Sequence, residues 1–420
     1  MSNPVLIQGG MGAGVSNWCL ARAVSLEGQL GVVSGTFLDT IFARRLQDGD
    51  PGGHMKRACQ NFPIPELADR VWRRYYLKGG KRENESYKAV PMMTMKSSVP
   101  LIELIILANF AEVYLAKENH AGLVGINYLT KIQLPTLPSI YGAMLACVDY
   151  VLMGAGIPKA IPGILDRLSK HMEVSLKLDI ESEEPPLLTF DPNDIIPNGK
   201  PLQRPKFIAI VSSHTLAANI ARKSSGAVDG FVIENHKAGG HNAPPRGPLT
   251  LDEKGEPVYG PRDEADLAEM RKIELPFWLA GSYFTHAKLQ EALSFGAAGV
   301  QVGTPFAFCQ ESGITQDIKT KTLEKVMDAS ITIFTDPNAS SSGYPFKILG
   351  VEESLSDELI YENRPRVCDL GYLRSAYFRQ DGSVGFRCPG EPEIDYVKKG
   401  GAIEDTENRK CLCNGLLSTV

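Results

Sequence analysis

The residues best suited to chemistry form a run of polar residues and glycines at 234–241, which reads Glu-Asn-His-Lys-Ala-Gly-Gly-His. The run starts where a predicted buried strand at 230–234 ends, so its side chains are expected at the carboxyl end of that strand. An imidazole titrates near neutral pH and therefore suits proton transfer. We predict that His241, which follows two glycines, reaches a ligand and is catalytic. We expect His236 to be a structural neighbour.

Two later loops each combine glycine with a hydroxyl side chain. Gly281 and Ser282 follow Ala280 at the end of one predicted strand, and Gly303 and Thr304 end the next. Backbone N–H groups at such loops and at the start of a helix bind phosphate oxygens, and hydroxyl groups add donors. A phosphate monoester therefore fits these loops, and a simple strand-to-helix turn is the alternative.

A third glycine-rich segment, Gln8-Gly9-Gly10-Met11-Gly12-Ala13-Gly14, follows the first predicted strand. Closely spaced glycines let a backbone approach a ligand without a clash of Cβ atoms. The spacing is not Gly-x-Gly-x-x-Gly, so the segment does not indicate a dinucleotide site. A tight turn between strand and helix is the alternative interpretation.

The composition indicates an acidic globular protein. Of 420 residues, 43% are hydrophobic and 22% are charged, and the formal net charge is −5. The sequence contains no run of basic residues, so it does not indicate a nucleic-acid partner. The apolar stretch 101–111 contains Glu103 and is shorter than a membrane span, so we expect no membrane partner. The chain opens with an apolar strand and without a signal-peptide pattern, and we therefore expect a cytoplasmic protein.

The eight cysteines are scattered along the chain and do not predict a disulfide framework. No pair has the Cys-x-x-Cys spacing. Cys411 and Cys413 are separated by one residue and have no neighbouring histidine, which is a poor pattern for zinc. We predict no metal site.

Short apolar runs, most of them ending in a small or polar residue, predict eight buried parallel strands. Several are followed by helical patterns, as at 215–224 and 287–295. Repeated strand–helix units favour an α/β fold of the (β/α)8 TIM-barrel type, and a doubly wound open sheet is the alternative. The predicted strands are 5–10, 31–35, 123–128, 150–154, 207–213, 230–234, 277–282 and 299–304.

Three stretches are longer than an ordinary connection. The segment 38–122 is predicted to be a mostly helical insertion, with a basic, aromatic helix near 71–76 and an amphipathic helix near 101–117. The segment 174–205 contains a candidate strand and a proline-rich acidic loop. We therefore assign 1–37 and 123–352 to the barrel, and 353–420 to an extension packed on it.

The ordered motifs resemble a known family. They are Gln8-Gly9-Gly10-Met11, Gly125-Ile126-Asn127, Ala238-Gly239-Gly240-His241, Ala280-Gly281 and Gly299-Val300-Gln301-Val302-Gly303-Thr304. Together they resemble the nitronate monooxygenases, formerly called 2-nitropropane dioxygenases, and the related FMN-dependent enoyl-ACP reductases. The resemblance covers roughly residues 3–350 and includes Ser342-Gly343-Tyr344-Pro345-Phe346-Lys347. The tail Cys411-Leu412-Cys413-Asn414-Gly415-Leu416 resembles a subgroup signature.

This resemblance implies a TIM barrel that holds FMN non-covalently over its mouth. It implies that His241 is the active-site histidine, acting as a base or hydrogen-bond donor towards the substrate. It also implies contacts of Asn127 with the flavin ring and of the loops at 281–282 and 303–304 with the phosphate. The predicted cofactor-binding residues are Gly9, Gly10, Met11, Asn127, Ser213, Glu234, Gly239, Gly240, Ala280, Gly281, Ser282, Gln301, Gly303 and Thr304.

Three departures from the family pattern bear on the substrate. Ser212 and Ser213 stand where many relatives have lysine or threonine, Lys237 stands where glutamate is common, and Ser282 replaces glycine. A changed charge near the flavin alters how a reduced, anionic ring is stabilised. The departures leave the prediction of FMN in place and weaken the assignment of nitronate as the substrate.

Three functions remain open from the sequence. The first is an FMN-dependent oxidoreductase that oxidises alkyl nitronates or similar carbanions with O2. The second is an enoyl-thioester reductase that uses FMN and NAD(P)H. The third is a flavin-free scaffold subunit. The expected partners are a small-molecule substrate and either O2 or NAD(P)H, and a homodimer is a candidate assembly.

Overall fold

The computed structural model describes residues 3–420 and contains a barrel of eight parallel strands surrounded by helices. The barrel strands are β1 (Leu6–Gln8), β2 (Gly31–Ser34), β3 (Val124–Leu129), β4 (Tyr150–Gly154), β7 (Lys206–Val211), β8 (Gly230–Glu234), β9 (Phe277–Ala280) and β10 (Gly299–Val302). Three antiparallel hairpins lie outside it: β5 (Val174–Lys177) with β6 (Leu187–Phe190), β11 (Ile333–Asp336) with β12 (Phe346–Leu349), and β13 (Ser375–Phe378) with β14 (Val384–Arg387).

The barrel closes between its first two strands. Its order is β1-β10-β9-β8-β7-β4-β3-β2. The gap between β2 and β1 is bridged at Leu30, whose carbonyl accepts from Gln8 N at 3.0 Å and whose N–H donates to Leu6 O at 3.1 Å. The prediction of a TIM barrel is confirmed, each predicted strand matches a barrel strand, and the open-sheet alternative is wrong.

The barrel interior is a small, separate hydrophobic core. Alternate residues of the strands point inward, among them Ile7, Val32, Leu152, Val232 and Trp278. The residues between them face the helices and belong to the larger outer core, so both faces of the sheet are buried. Because side chains alternate along a strand, this inner set also fixes which residues face the barrel mouth.

The helices form the outer layer and parts of the long connections. The predicted helices at 215–224 and 287–295 are confirmed as α8 and α10. The helices are α1 (Trp18–Leu26), α2 (Leu38–Gln47), α3 (His54–Gln60), α4 (Pro65–Tyr75), α5 (Val99–Lys117), α6 (Thr136–Leu145), α7 (Ile161–Ser169), α8 (His214–Lys223), α9 (Leu267–Arg271), α10 (His286–Ser294), α11 (Thr304–Ala307), α12 (Gln316–Met327), α13 (Glu358–Asn363), α14 (Glu393–Lys398) and α15 (Leu412–Leu417).

Helix α5 differs from its prediction in length and in amphipathicity. It has 19 residues and is apolar enough to cross a membrane, but 78% of its apolar stretch is buried inside the protein. It contacts α1, α2, α3, α4 and α6, so it is apolar on all sides because it is surrounded. Its buried carboxylates are paired, Glu112 with Arg45 at 2.6 Å and Glu103 with Arg70. The reading of 101–111 as too short to span a bilayer was wrong on length.

The segment predicted as an insertion, 38–122, contains α2 to α5. Helix α5 packs on β2 and β3 as well as on neighbouring helices, so the segment is part of the helical layer around the barrel. The segment 174–205 contains the hairpin β5–β6.

The C-terminal segment 353–420 reaches back to the loops after β1 and β2. Tyr372 donates a hydrogen bond to the buried Asp39, at the start of α2. Thr419 O accepts from Thr315 N at 2.8 Å. The Val420 side chain lies against Gly14, where an added Cβ would stand 3.3 Å from Val420 Cγ2.

Candidate active site

Polar side chains from neighbouring strands meet at the carboxyl end of the barrel. Glu234 of β8 and Gln301 of β10 are both register partners of Ala280 in β9. On the other side of β1, Asn127 of β3 is the register partner of Ser34 in β2. Side chains alternate between the two faces of a strand, so residues two apart face the same way. By this alternation and by the strand register, the barrel interior is the side faced by Glu234, Gln301 and Asn127. The barrel therefore brings three of the predicted site residues to one mouth.

The first glycine-rich loop packs directly on this polar group. An added Cβ on Gly10 would stand 2.4 Å from Asn127 Cβ, and one on Gly9 would stand 3.6 Å from Gln301 Cγ. Real Cβ atoms do not tolerate the first distance, so position 10 requires glycine. The loop thus lies against Asn127 and Gln301, as expected if all of these residues line one ligand.

Two buried side-chain oxygens in this group have no partner. Among residues 3–420, Asn127 Oδ1 and Gln301 Oε1 are buried and accept no hydrogen bond. Leaving a buried acceptor unsatisfied costs about 1–3 kcal/mol. A ligand with N–H or O–H donors at the mouth would remove this cost.

The loops after β8 and β9 are joined through Asn235, which the sequence analysis did not select. Asn235 Nδ2 donates to Gly281 O at 3.3 Å, and its Oδ1 accepts from Lys237 N at 2.9 Å. Gly281 has φ +98, and an added Cβ there would stand 1.9 Å from Asn235 Oδ1. Ser282, next to it, is exposed with φ 63, so its hydroxyl is free of the core. The position of Asn235, a polar residue directly after β8, was the sequence feature that could have identified it as a site residue.

The loops after β1, β8 and β10 also meet. An added Cβ on Gly303 would stand 3.4 Å from Met11 Sδ, and one on Gly239 would stand 3.5 Å from Thr304 Oγ1. Thr304 is exposed and is the first residue of α11. One surface is therefore bordered by Met11, Gly239, Gly303 and Thr304. The neighbouring Gly240 is open, because no atom lies within 4 Å of a Cβ added there.

His241 is held by the segment that leads into β12. Its Nε2 lies 2.8 Å from Ser340 Oγ, and its ring packs edge-on against Phe346 with centroids 4.8 Å apart. The backbone on both sides of His241 is also fixed, by Lys347 N donating to Gly240 O at 3.0 Å and by Asn242 N donating to Pro345 O at 2.9 Å. Burial lowers the pKa of His241 to about 4. The imidazole is therefore neutral at pH 7.

Glu234 is the second group at the mouth with a displaced pKa. Burial raises the pKa of its carboxyl group to about 8. Among residues 3–420 the carboxyl group makes neither a hydrogen bond nor an ion pair. At pH 7 it is mostly protonated, and a neutral carboxylic acid can donate a hydrogen bond to a ligand.

Ser213 is used by the fold as a helix cap, and its contact with a cofactor stays a prediction. Its hydroxyl caps α8 by accepting from Leu216 N at 3.2 Å, and it is buried beside the outer core. Ser212, one residue earlier, has the same parity as the inward-facing Ile208 and Ile210. Strand β7 ends at Val211, so both serines lie in the turn between β7 and α8.

His236 lies outside this group. Its ring stacks on Tyr259 with centroids 4.4 Å apart, and burial together with Lys347 and Lys237 lowers its pKa.

The chain matches a known family over the segment that builds half of this mouth. Residues 189–349 match the model of the nitronate monooxygenase family. This match confirms the resemblance for β7 to β12 and the loops between them, including the run at 234–241.

Three relatives and solved structures are similar to parts of the chain. A Mycobacterium tuberculosis (3aS,4S,5R,7aS)-5-hydroxy-7a-methyl-1-oxo-octahydro-1H-indene-4-carboxyl-CoA dehydrogenase is 26% identical over 180 residues, which are 43% of this chain and 45% of that protein. A probable nitronate monooxygenase of Bacillus subtilis is 32% identical over 138 residues, 32% of this chain and 37% of that protein. FabK of Thermotoga maritima has a TM-score of 0.44 at 17% identity, covering 86% of this chain and 76% of that one. The chain thus spans less than half the length of the curated relatives it matches.

Proposed function

We propose that this protein is an FMN-dependent oxidoreductase of the nitronate monooxygenase type, which oxidises alkyl nitronates or similar carbanionic substrates with O2. The observation that supports this proposal most directly is that the segment matching the family model also supplies residues of the barrel mouth. The matched segment 189–349 supplies Glu234, the loop at 239–241, and the loops at 281–282 and 303–304.

The residues at the mouth fit FMN. The unpartnered oxygens of Asn127 and Gln301 are acceptors, and the polar edge of a flavin ring carries an N–H donor. The phosphate would lie on the backbone of the loops at Gly281 and Gly303, with the exposed hydroxyls of Ser282 and Thr304 as added donors. When bound, the flavin supplies the oxidation of the substrate and the reaction with O2.

His241 would act as a hydrogen-bond donor to an anionic substrate. Its neutral ring carries one proton. When Ser340 donates to Nε2, that proton is on Nδ1, which makes no hydrogen bond among residues 3–420 and is left for the substrate. A group with a pKa of about 4 is a weak base at pH 7, so this geometry suits a substrate that arrives as the anion. The protonated Glu234 would add a second neutral donor at the same mouth.

A second candidate function has one specific observation in its favour. The M. tuberculosis relative is named for a substrate that is a coenzyme A thioester. This favours an enoyl-thioester reductase that uses FMN and NAD(P)H on the same mouth. A flavin-free scaffold would leave the buried acceptors of Asn127 and Gln301 without a partner.

Two assays on one reconstituted sample separate these functions. The monooxygenase would release nitrite from alkyl nitronates only when O2 is present, and NAD(P)H would not bleach its flavin. The reductase would show the reverse, with NAD(P)H consumed in step with an enoyl thioester. A purified protein without flavin absorbance that takes up no FMN on reconstitution would refute both.

A further inference from the structure

Four cysteines that are far apart in the sequence line one cavity in the C-terminal segment. They are Cys368, Cys388, Cys411 and Cys413, and Ser341 and Arg374 are among the other residues of the lining. Cys388 and Cys413 are buried, Cys368 and Cys411 are half-buried, and all four are free thiols. The spacing of Cys368, Cys388 and Cys411 along the chain gives no sign that they lie together.

Two of the four cysteines, Cys411 and Cys413, are separated by one residue and line the same cavity. Asn414 Nδ2 donates to Cys411 Sγ at 3.6 Å. Within residues 3–420 no three histidine, cysteine or acidic side chains are arranged as ligands of one metal ion. Cys411 and Cys413 are therefore the two thiols that one short segment brings to the cavity, and the four cysteines are not arranged as a four-ligand centre.

The hydrogen bonds place the negative charge on one sulfur. The pKa of Cys411 is lowered to about 6, first by the hydrogen bond from Cys413 and then by those from Asn414. The pKa of Cys413 is raised, because its proton is shared with Cys411 and because it is buried. A thiolate is the nucleophilic form of cysteine, and here it stands in contact with a second thiol.

The cavity next to this pair admits only a small molecule. Its volume of about 10 Å³ for the centre of a water-sized molecule corresponds to roughly one water. That is too little for a peptide or a thiol such as glutathione.

We propose that Cys411 and Cys413 form a peroxide-reactive dithiol that closes to a reversible disulfide. The Cys411 thiolate attacks one oxygen of hydrogen peroxide, the O–O bond breaks, and a sulfenic acid and hydroxide form. The Cys413 sulfur then attacks the Cys411 sulfur, the S–O bond breaks, and the second oxygen leaves as water after taking a proton. In total, two thiols and one hydrogen peroxide give one disulfide and two waters, with two electrons passing from sulfur to oxygen. The proposal does not depend on the proposed function.

The chain offers a direct readout of this reaction. Trypsin cleaves after Lys410 and releases the peptide 411–420, in which Cys411 and Cys413 are the two cysteines. The fully reduced protein is treated with hydrogen peroxide, and its remaining free thiols are alkylated. The protein is then digested with trypsin, and the mass of the peptide is measured by mass spectrometry. The expected product is an unlinked, unalkylated peptide that is lighter by two hydrogens, and dithiothreitol restores two alkylation sites. A disulfide that links this peptide to the one with Cys368 or Cys388 would overturn the proposal.

Two variants separate the roles of the sulfurs. Cys413→Ser should stop the reaction at the Cys411 sulfenic acid, which a cyclic diketone probe traps. Cys411→Ser should slow oxidation of the peptide at least tenfold, and Cys147→Ser, which removes an exposed cysteine elsewhere, should leave it unchanged. Circular dichroism checks that each variant is folded. The proposal is overturned if wild-type Cys411 is oxidised no faster than Cys147, or if the purified protein holds stoichiometric zinc or iron that protects the four thiols.

Discussion

His241 and Ser340 are 99 residues apart in the sequence, and His241 Nε2 lies 2.8 Å from Ser340 Oγ. The contact joins the loop after β8 to the segment before β12 and fixes the orientation of the imidazole ring. Because it occupies Nε2, it leaves Nδ1 as the nitrogen that can meet a substrate.

Replacing Ser340 should therefore impair turnover without loss of the cofactor. Ser340→Ala removes a hydrogen bond worth about 1 kcal/mol and frees the ring to change tautomer. We expect kcat for the nitronate to fall by about tenfold, which corresponds to 1.4 kcal/mol, with FMN affinity unchanged. Ser341→Ala is the control on the same loop, because the Ser341 side chain makes no hydrogen bond with His241 or Ser340. Equal kcat values for the two variants would refute the positioning role of Ser340.

His241→Asn should discriminate between the anion and the neutral acid of one substrate. The neutral His241 ring donates a hydrogen bond to the anionic nitronate and, with a pKa of about 4, is too weak a base to take the proton of the nitroalkane at pH 7. A hydrogen bond to a charged group contributes about 1.5–3 kcal/mol, so the loss of rate should be at least about tenfold for the nitronate and small for the nitroalkane, with FMN still bound. Stopped-flow measurement of flavin bleaching with both forms gives the comparison. Unchanged turnover of the nitronate would remove His241 from the catalytic residues.

Glu234 should make the protein less stable as the pH rises. Burial raises its pKa to about 8 in the folded protein, whereas an unfolded glutamate titrates near ~4.3. The folded state thus binds more protons between these values. Its stabilising contribution is present below the unfolded pKa and is lost as the pH rises through about 8.

Glu234→Gln tests this, because the amide resembles the protonated acid and does not ionise. The free energy of unfolding of the variant, relative to wild type, should increase from pH 5 to pH 8. Denaturant titrations at the two pH values measure it. A difference that stays constant with pH would show that Glu234 is ionised in the folded protein.

Gly303→Leu should abolish retention of FMN while the barrel stays folded. Gly303 does not have a positive φ and an added Cβ meets only Met11 Sδ at 3.4 Å, so the backbone tolerates a side chain that would nevertheless cover the proposed phosphate site. Gly260→Leu is the control, since nothing lies within 4 Å of an added Cβ there. Flavin absorbance per protein after gel filtration is the measurement. Normal flavin content in a folded Gly303→Leu variant would place the phosphate elsewhere.

The barrel could be predicted because burial on both faces leaves a signal in each strand. Runs such as Phe277–Ala280 are apolar throughout and end in small residues, and eight of them fix the fold class. Helix α5 is the opposite case. Its apolar pattern was read as amphipathic, because the sequence does not show that five other helices surround it.

The sequence allowed the loops of the candidate site to be predicted, but not the contacts that its side chains make with distant segments. The position of His241 after two glycines indicated a functional residue, but its partner Ser340 comes from a distant segment. Ser213 was predicted to lie at the mouth from a strand at 207–213, whereas β7 ends at Val211, two residues earlier, and the Ser213 hydroxyl caps α8. The grouping of four cysteines depends on how the C-terminal segment folds back, which no local pattern encodes.

The most direct test of the account is oxygen-dependent nitrite release from an alkyl nitronate by the FMN-reconstituted protein. Oxygen uptake and nitrite are measured on the same sample, with the Gly303→Leu variant as the control without flavin. Nitrite should form in step with oxygen consumption, scale with bound flavin and be absent in the variant. Full flavin occupancy without nitrite release from any nitronate, combined with NAD(P)H-driven turnover of an enoyl thioester, would contradict it.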